Sequence, residues 1–191
     1  MRSELIDGSA NRETIPVEPA PAIGIACRKA GSAVQLGQHF DIRHRVFVQE
    51  QAVFAGSDLD EHDQRESVIR LLGYCDGVPA GTVRLFEVDP ASGLWQGDRL
   101  AVLEAYRVRG LGAPLVRCAV ATAGARGGRR MTAHIQLGNV TFFHRLGWAA
   151  VGEPEIYAGL AHQLMTIALP DPDEGAAIVR SLGLGISAKG P

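Results

Sequence analysis

The chain is short of the features that would tie it to a membrane, a nucleic acid or an oxidising compartment. It has three cysteines in 191 residues, Cys27, Cys75 and Cys118. An odd number at such wide spacing builds no disulfide framework and matches no zinc-ligand pattern, so a reducing compartment is expected. Charge of one sign is not in excess either: 19 Lys and Arg stand against 21 Asp and Glu, a formal net charge of −2. Without an overall basic field, neither nucleic acid nor an anionic membrane is expected as a partner, and any anion must be gripped locally. No apolar run reaches membrane-spanning length, and Met1 to Glu13 are polar where a secretory signal would need an apolar centre. A cytoplasmic location is the expectation.

What is present suits one globular domain, since 46% of residues are hydrophobic and 21% charged. Residues 1–21, polar and carrying Pro16, Pro19 and Pro21, read as a flexible tail. Residues 22–169 read as the domain, and the glycine-punctuated 170–191 as a second tail or a loose helix. Within the domain the hydrophobic period changes repeatedly. Ala22 to Cys27 reads as a strand. Leu36, Phe40 and Phe47 place a buried stripe on a helix from Val34 to about Gln49. Phe54 to Arg65 is acidic and unpatterned, hence a loop. Val68 to Cys75 and Ala80 to Val88 flank Asp76-Gly77, a strong hairpin signal. Trp95 to Leu103 is a further strand. Leu111, Leu115, Cys118, Ala119 and Thr122 mark a helix that starts at Gly110 or Leu111 and ends before Gly127-Gly128. Met131 to Gln136 reads as a strand, Asn139 to Leu146 as a short helix with an Asn cap, and Leu164 to Leu169 as the last strand. The order implies an α/β fold, a mixed central sheet with helices on both faces.

The richest stretch is Arg99 to Gly112, a strand running into a Gly-rich turn at a helix start. The first N–H groups of a helix lack internal partners and lie at the positive end of its dipole, and glycines let phosphates approach the main chain. Arg107 and Arg109 add charge beside them. A dinucleotide fingerprint needs a third glycine that Gly110-Leu-Gly112-Ala-Pro-Leu115 lacks, and a P-loop needs a Gly-Lys-Ser/Thr that is absent.

Arg107-x-x-Gly110-x-Gly112, preceded by Leu100-Ala101-Val102 and followed by an amphipathic helix, resembles the coenzyme A pyrophosphate loop of the GNAT N-acetyltransferases. Asn139-Val-Thr-Phe-Phe-His-Arg-Leu-Gly-Trp148 is similar to the family's Asn-x-x-x-Phe-Tyr-x-x-Leu-Gly-Phe segment. Arg45-Val-Phe-Val-Gln-Glu-Gln51, Asp58-Leu-Asp-Glu-His62 and Gly81-Thr-Val-Arg84 resemble a bacterial ElaA-like branch, and within it the group associated with nitrogen-starvation gene clusters. The resemblance covers about Ala22 to Leu169. It implies a single-domain GNAT fold and an acetyl-CoA-dependent N-acetyltransferase acting on a small acceptor, a small-molecule amine or an amino-acid-like molecule. Leu100, Ala101, Val102, Arg107, Val108, Arg109, Gly110, Leu111, Gly112, Ala113, Asn139 and Phe142 would then face the coenzyme. The pantetheine arm would lie along Leu100 to Val102 like an added strand. A homodimer is allowed for. Two other uses of the same core are an acyl-homoserine-lactone-synthase-like reaction, to which Arg43 and Arg45 point, and a catalytically silent acyl-CoA sensor.

One departure bears on catalysis. Phe142-Phe143 stand where many relatives carry a Tyr that protonates the leaving thiolate. A thiolate is a good leaving group, so turnover does not demand that Tyr. Candidate bases are His162, Glu50 and His134, in that order. His134 falls on the polar face of its strand with Thr132 and Gln136, His162 in a Gly-x-x-His-x-x-Met element similar to the ElaA-like branch, and Glu50 after the first helix. The acidic stretch Asp58 to Asp63 has no calcium-loop glycine, since Asp63 stands at the sixth position, and no metal is expected. It reads as a solvated loop that attracts a cationic acceptor.

Overall fold

The computed structural model describes residues 24–157, 159–184 and 186–187; the tail expected over residues 1–21 lies outside them. Nine strands form one sheet: β1 Gly24–Lys29, β2 Ile69–Cys75, β3 Val78–Asp89, β4 Leu94–Val102, β5 Arg130–Gln136, β6 Ala149–Ala150, β7 Glu155–Tyr157, β8 Leu160–Ala168 and β9 Ile186–Ser187. The order is β6-β8-β5-β4-β3-β2-β1-β9, with β7 paired to β8. All neighbours are antiparallel except β4 and β5. The helices are α1 Ala33–Arg43, α2 Glu104–Arg107, α3 Gly112–Gly124, α4 Val140–Arg145 and α5 Pro172–Leu184.

The alternation of β2 distributes its residues between two cores. Ile69, Leu71 and Cys75 face the larger one, with Leu111, Leu115, Cys118 and Ala119 of α3 and Leu182 of α5. Leu72 faces the smaller one with Ile42 and Val46, which follow from α1. Helices thus cover both faces, as the mixed-sheet reading requires.

Several local signals act as the residues dictate. Asp76 and Gly77 both take positive φ, 51° and 81°, and close the β2–β3 hairpin. Ser32 caps α1: its Oγ accepts from the Gln35 amide at 3.2 Å while Gln35 Oε1 accepts from the Ser32 amide at 3.1 Å. After Arg43 the helix loosens into a π-helical segment, His44–Glu50.

The structure corrects other boundaries. Gly110, at φ +78°, cannot be helical, so α3 begins at Gly112 with Leu111 as its cap. Asn139 makes no side-chain cap bond, because the chain enters α4 through a 3₁₀ turn, Leu137–Asn139. The last strand starts at Leu160, not Leu164, since it is the second arm of a hairpin with β7. The segment expected as a tail or loose helix contains α5, capped by Asp171, whose Oδ1 accepts from the Glu174 amide at 2.9 Å. Gly175 lets α5 close on α3: a Cβ there would lie 2.6 Å from Ala121 O.

Two glycines seat α3 on the sheet. A Cβ on Gly73 would meet Leu111 Cδ1 and Leu115 Cγ at 2.9 Å, and one on Gly81 would meet Leu115 Cδ1 at 2.7 Å and Ala101 O at 2.9 Å. The carbonyl belongs to the sheet and cannot swing aside. Gly81→Ala is therefore expected to destabilise the fold by about 1–3 kcal/mol through overpacking. A urea unfolding midpoint unchanged from the parent would show that α3 is not seated so closely.

Candidate active site

β4 and β5 pair only at Leu94↔Arg130, Trp95↔Met131 and Gln96↔Thr132. Beyond them the strands part. The β4 side explains why: Thr82 pairs with Ala101 but Arg84 with Asp98, so β4 carries one extra residue, and Arg99 takes φ +51°. This bulge bends β4 away and leaves its edge from Gly97 onward without a strand partner on the β5 side. The wedge holds a cavity of about 1000 Å³, counting its open mouth. Gly97 to Leu100 line one wall and Ala133 to Gln136 the other, with Val116 and Ala119 of α3 and Phe47, Gln51, Val53 and Phe54 from the segment after α1.

α3 borders this wedge through Val116 and Ala119, and its start lies about one turn before Val116. The Arg109 and Gly110 amides are already bonded, to Tyr106 O at 3.1 Å and Arg107 O at 3.2 Å. Leu111, Gly112 and Ala113 keep amides without a backbone partner among the described residues, and Pro114 has none to offer. The amides free to receive a ligand thus narrow from the stretch Arg107 to Ala113 to its last three residues. Phe142 lies against Gly112: a Cβ there would be 3.4 Å from the ring's Cζ. Arg107 holds β4 and the first helix together, its Nε donating to Val102 O at 3.0 Å and its Nη2 to Glu50 at 2.6 Å. Arg109 pairs with Asp76 at 2.8 Å. Val108 is 94% exposed, whereas Leu111 and Ala101 are buried. Leu100 and Asn139 line the wedge.

The base candidates separate. His134 and His162 both line the wedge, whereas Glu50 is engaged with Arg107 at the end of α2. His162 is 6% exposed, and its Nδ1–H donates to Leu160 O at 2.9 Å. A carbonyl only accepts, so the proton sits on Nδ1 and the Nε2 lone pair is left free; among the described residues Nε2 has no partner. His134 shares a hydrogen bond with Glu155 at 3.0 Å through Nε2. Tyr157 stacks on His134, centroids 4.2 Å apart, and meets His162 edge-on at 5.6 Å. The sequence reading had no place for Tyr157, because the β7–β8 hairpin that delivers it was not anticipated. Where a Tyr is common in relatives, Phe143 is 5% exposed and packs edge-on to Trp148.

The acidic stretch is not a solvated loop. Arg43 and Arg84 are fully buried, and they draw it inward. Arg43 binds Asp58 through Nε at 2.7 Å and Asp63 through both Nη atoms at 2.7 and 2.8 Å. Arg84 binds Asp98 through Nε and Nη2 at 2.7 and 2.6 Å, and Asp60 through Nη1 and Nη2 at 2.6 and 2.7 Å. Arg99 completes the network on Asp58 O and Asp60. With these carboxylates taken, Asp58 to Asp63 cannot supply a field for a cationic acceptor. Burial alone would raise Asp63, but the hydrogen bonds and charge of Arg43, then the charge of Arg84, hold it well below the usual carboxylate range.

His39 lies beside this network, its Nδ1–H donating to Leu71 O at 3.3 Å and its Nε2 buried without a partner among the described residues. Burial, then the Arg43 charge, lowers its pKa to about 3. The unfolded chain takes up that proton first, near pH ~6.5. The stability His39 contributes is therefore complete above that pH and is lost as pH falls toward about 3. Asp63, also depressed, adds a second loss below roughly pH 4. His39→Asn retains a donor for Leu71 O and is expected to flatten the decline between pH 6.5 and about 4.5. Urea unfolding across that range reads the difference; equal slopes in parent and variant would reassign the acid sensitivity.

Known proteins share this arrangement. The sequence signature described as the Acetyltransferase (GNAT) family matches residues 36–148. A Bacillus subtilis (strain 168) protein named as an acetyltransferase is 31% identical over 140 residues, 73% of this chain and 93% of its own. Escherichia coli ElaA superposes with a TM-score of 0.66 at 22% identity, over 74% of this chain and 98% of its own. A CoA-dependent acyl-homoserine lactone synthase, BjaI, solved with SAM and isopentyl-CoA, gives 0.62 at 20% identity over 84% and 90%. The last two establish shared fold. With that signature over more than half its length, the chain belongs to the GNAT acetyltransferase family.

Proposed function

We propose that the chain transfers an acetyl group from acetyl-CoA directly to the amine of a small acceptor, without a covalent enzyme intermediate. The observation that carries this reading is the wedge itself, an unpaired strand edge lined by a helix whose first turn keeps three free amides. The Leu111 to Ala113 amides would take the pyrophosphate, and the open β4 edge would hold pantetheine by main-chain hydrogen bonds. Donors on that edge would also stabilise the oxyanion as the amine attacks the thioester carbonyl. A protonated amine cannot attack, so a base must remove its proton. His162 is our choice, because its tautomer leaves Nε2 as an acceptor inside the wedge. His134, held by Glu155 and stacked on Tyr157, would shape the acceptor side, while Glu50 would fix Arg107. The thiolate leaves unaided by Phe143.

The test is thiol release from acetyl-CoA across a panel of amino acids, peptides, aryl amines and polyamines, with mass spectrometry of the products. An amine gaining one acetyl group in step with thiol release is the expected result. Tight acetyl-CoA binding without turnover on any amine would favour a binding role instead.

A further inference from the structure

Arg99 is the one cation of the charged network that also lines the wedge. It stands at a non-glycine positive φ of +51°, a strained conformation that persists only where surroundings impose it. The surroundings here are specific. Its Nε lies 3.3 Å and its Nη2 3.1 Å from Asp58 O, Nη2 also donates to Asp60 at 3.0 Å, and the Phe54 ring supports the guanidinium at 4.8 Å. Those bonds fix one edge. Nη1, with two N–H groups, has no partner among the described residues, although the side chain is only 11% exposed. Asp58 and Asp60 are shared with Arg43 and Arg84, so Arg99 has no carboxylate to itself.

The rest of the wedge offers an amine-bearing cation nothing comparable. Asp98 is the sole carboxylate among its lining residues, and Arg84 occupies both its oxygens. Glu155, nearby, is engaged by His134. The other polar lining groups are neutral amides and aromatic residues with a polar atom, among them Gln51, Asn139, Tyr157 and two histidines. A polyamine would find no free counter-ion, whereas a carboxylate would find a held guanidinium with spare donors.

We propose that Arg99 Nη1 is the anchor for a carboxylate of the acceptor, which makes the substrate class amino acids or similar carboxylate-bearing amines. This rests on the acetyl-transfer reading for its meaning but not for its test. The probes are product-like acids and their uncharged partners, N-acetylglycine, N-acetyl-L-leucine and N-acetyl-L-phenylalanine against the matching amides, titrated calorimetrically into the CoA-loaded protein. At least one acid should bind tenfold or more tightly than its amide. Arg99→Gln should shrink that ratio below twofold, with Arg99→Lys retaining part of it and near-UV dichroism confirming that both variants are folded. Amides binding as well as acids in every pair, or a preference that survives in Arg99→Gln, would overturn the assignment, and the wild-type comparison does so whatever the variants do. Succinyl-CoA binding more tightly than acetyl-CoA in an Arg99-dependent way would place the carboxylate on the acyl group and equally overturn it. Whether acetyl groups are transferred at all is decided separately by thiol release.

Discussion

Gly112→Asp is expected to weaken acetyl-CoA binding by about three orders of magnitude while leaving the fold intact. The position has room for a side chain: a Cβ meets only the Phe142 ring, at 3.4 Å. The damage is therefore electrostatic. Gly112 supplies one of three consecutive amides left free at the start of α3. A carboxylate there opposes the pyrophosphate at contact distance, and one like-charge pair about 4 Å apart costs on the order of 4 kcal/mol near a protein surface, about a thousandfold in affinity. Gly112→Ala separates charge from bulk, since it keeps the amide and adds only the methyl. Calorimetric titration with acetyl-CoA reads both variants. Near-equal affinities for parent and Gly112→Asp would move the pyrophosphate elsewhere.

His162→Ala is expected to lower kcat by about 10²–10⁴ with the KM for acetyl-CoA little changed. The sign of its pH effect follows from its role. Only neutral imidazole accepts the amine proton, so the rate should climb with pH as the ring loses its own proton, and that limb should vanish in the variant. A structural role would behave differently. His162 packs beneath Tyr157 and ties to Leu160 O, so if it merely braced the hairpin, His162→Asn would restore rate by keeping a donor near Nδ1. Failure of that rescue, together with a flat profile, marks the base.

Much of the fold was legible because its signals are local. The Asp76-Gly77 turn, the α3 stripe from Leu111 to Cys118 and the alternation of β5 each depend on a few adjacent residues. The free amides at the α3 start were legible for the same reason, since the glycines and the helix start lie in one continuous stretch from Leu100 to Ala113. What sequence concealed was charge pairing over distance. Asp58 to Asp63 look like a solvated acidic run until Arg43, Arg84 and Arg99, up to 41 positions away, are folded onto them. The same folding turns Arg99 from an apparent mid-strand residue into a bulge residue lining the cavity. Tyr157 stayed hidden because β7 is three residues long and fully exposed in pattern, with no periodicity to announce it. Asp171-Pro172, by contrast, was a readable helix start, an acidic cap before a first-turn proline, that the glycines downstream obscured.

The crystal structure of the chain with acetyl-CoA tests the account most directly. The pyrophosphate should accept hydrogen bonds from the Leu111, Gly112 and Ala113 amides, with the thioester lying between β4 and β5 and its methyl end toward His162. A pyrophosphate seated away from the α3 start, or an acetyl group outside the β4–β5 wedge, would contradict it.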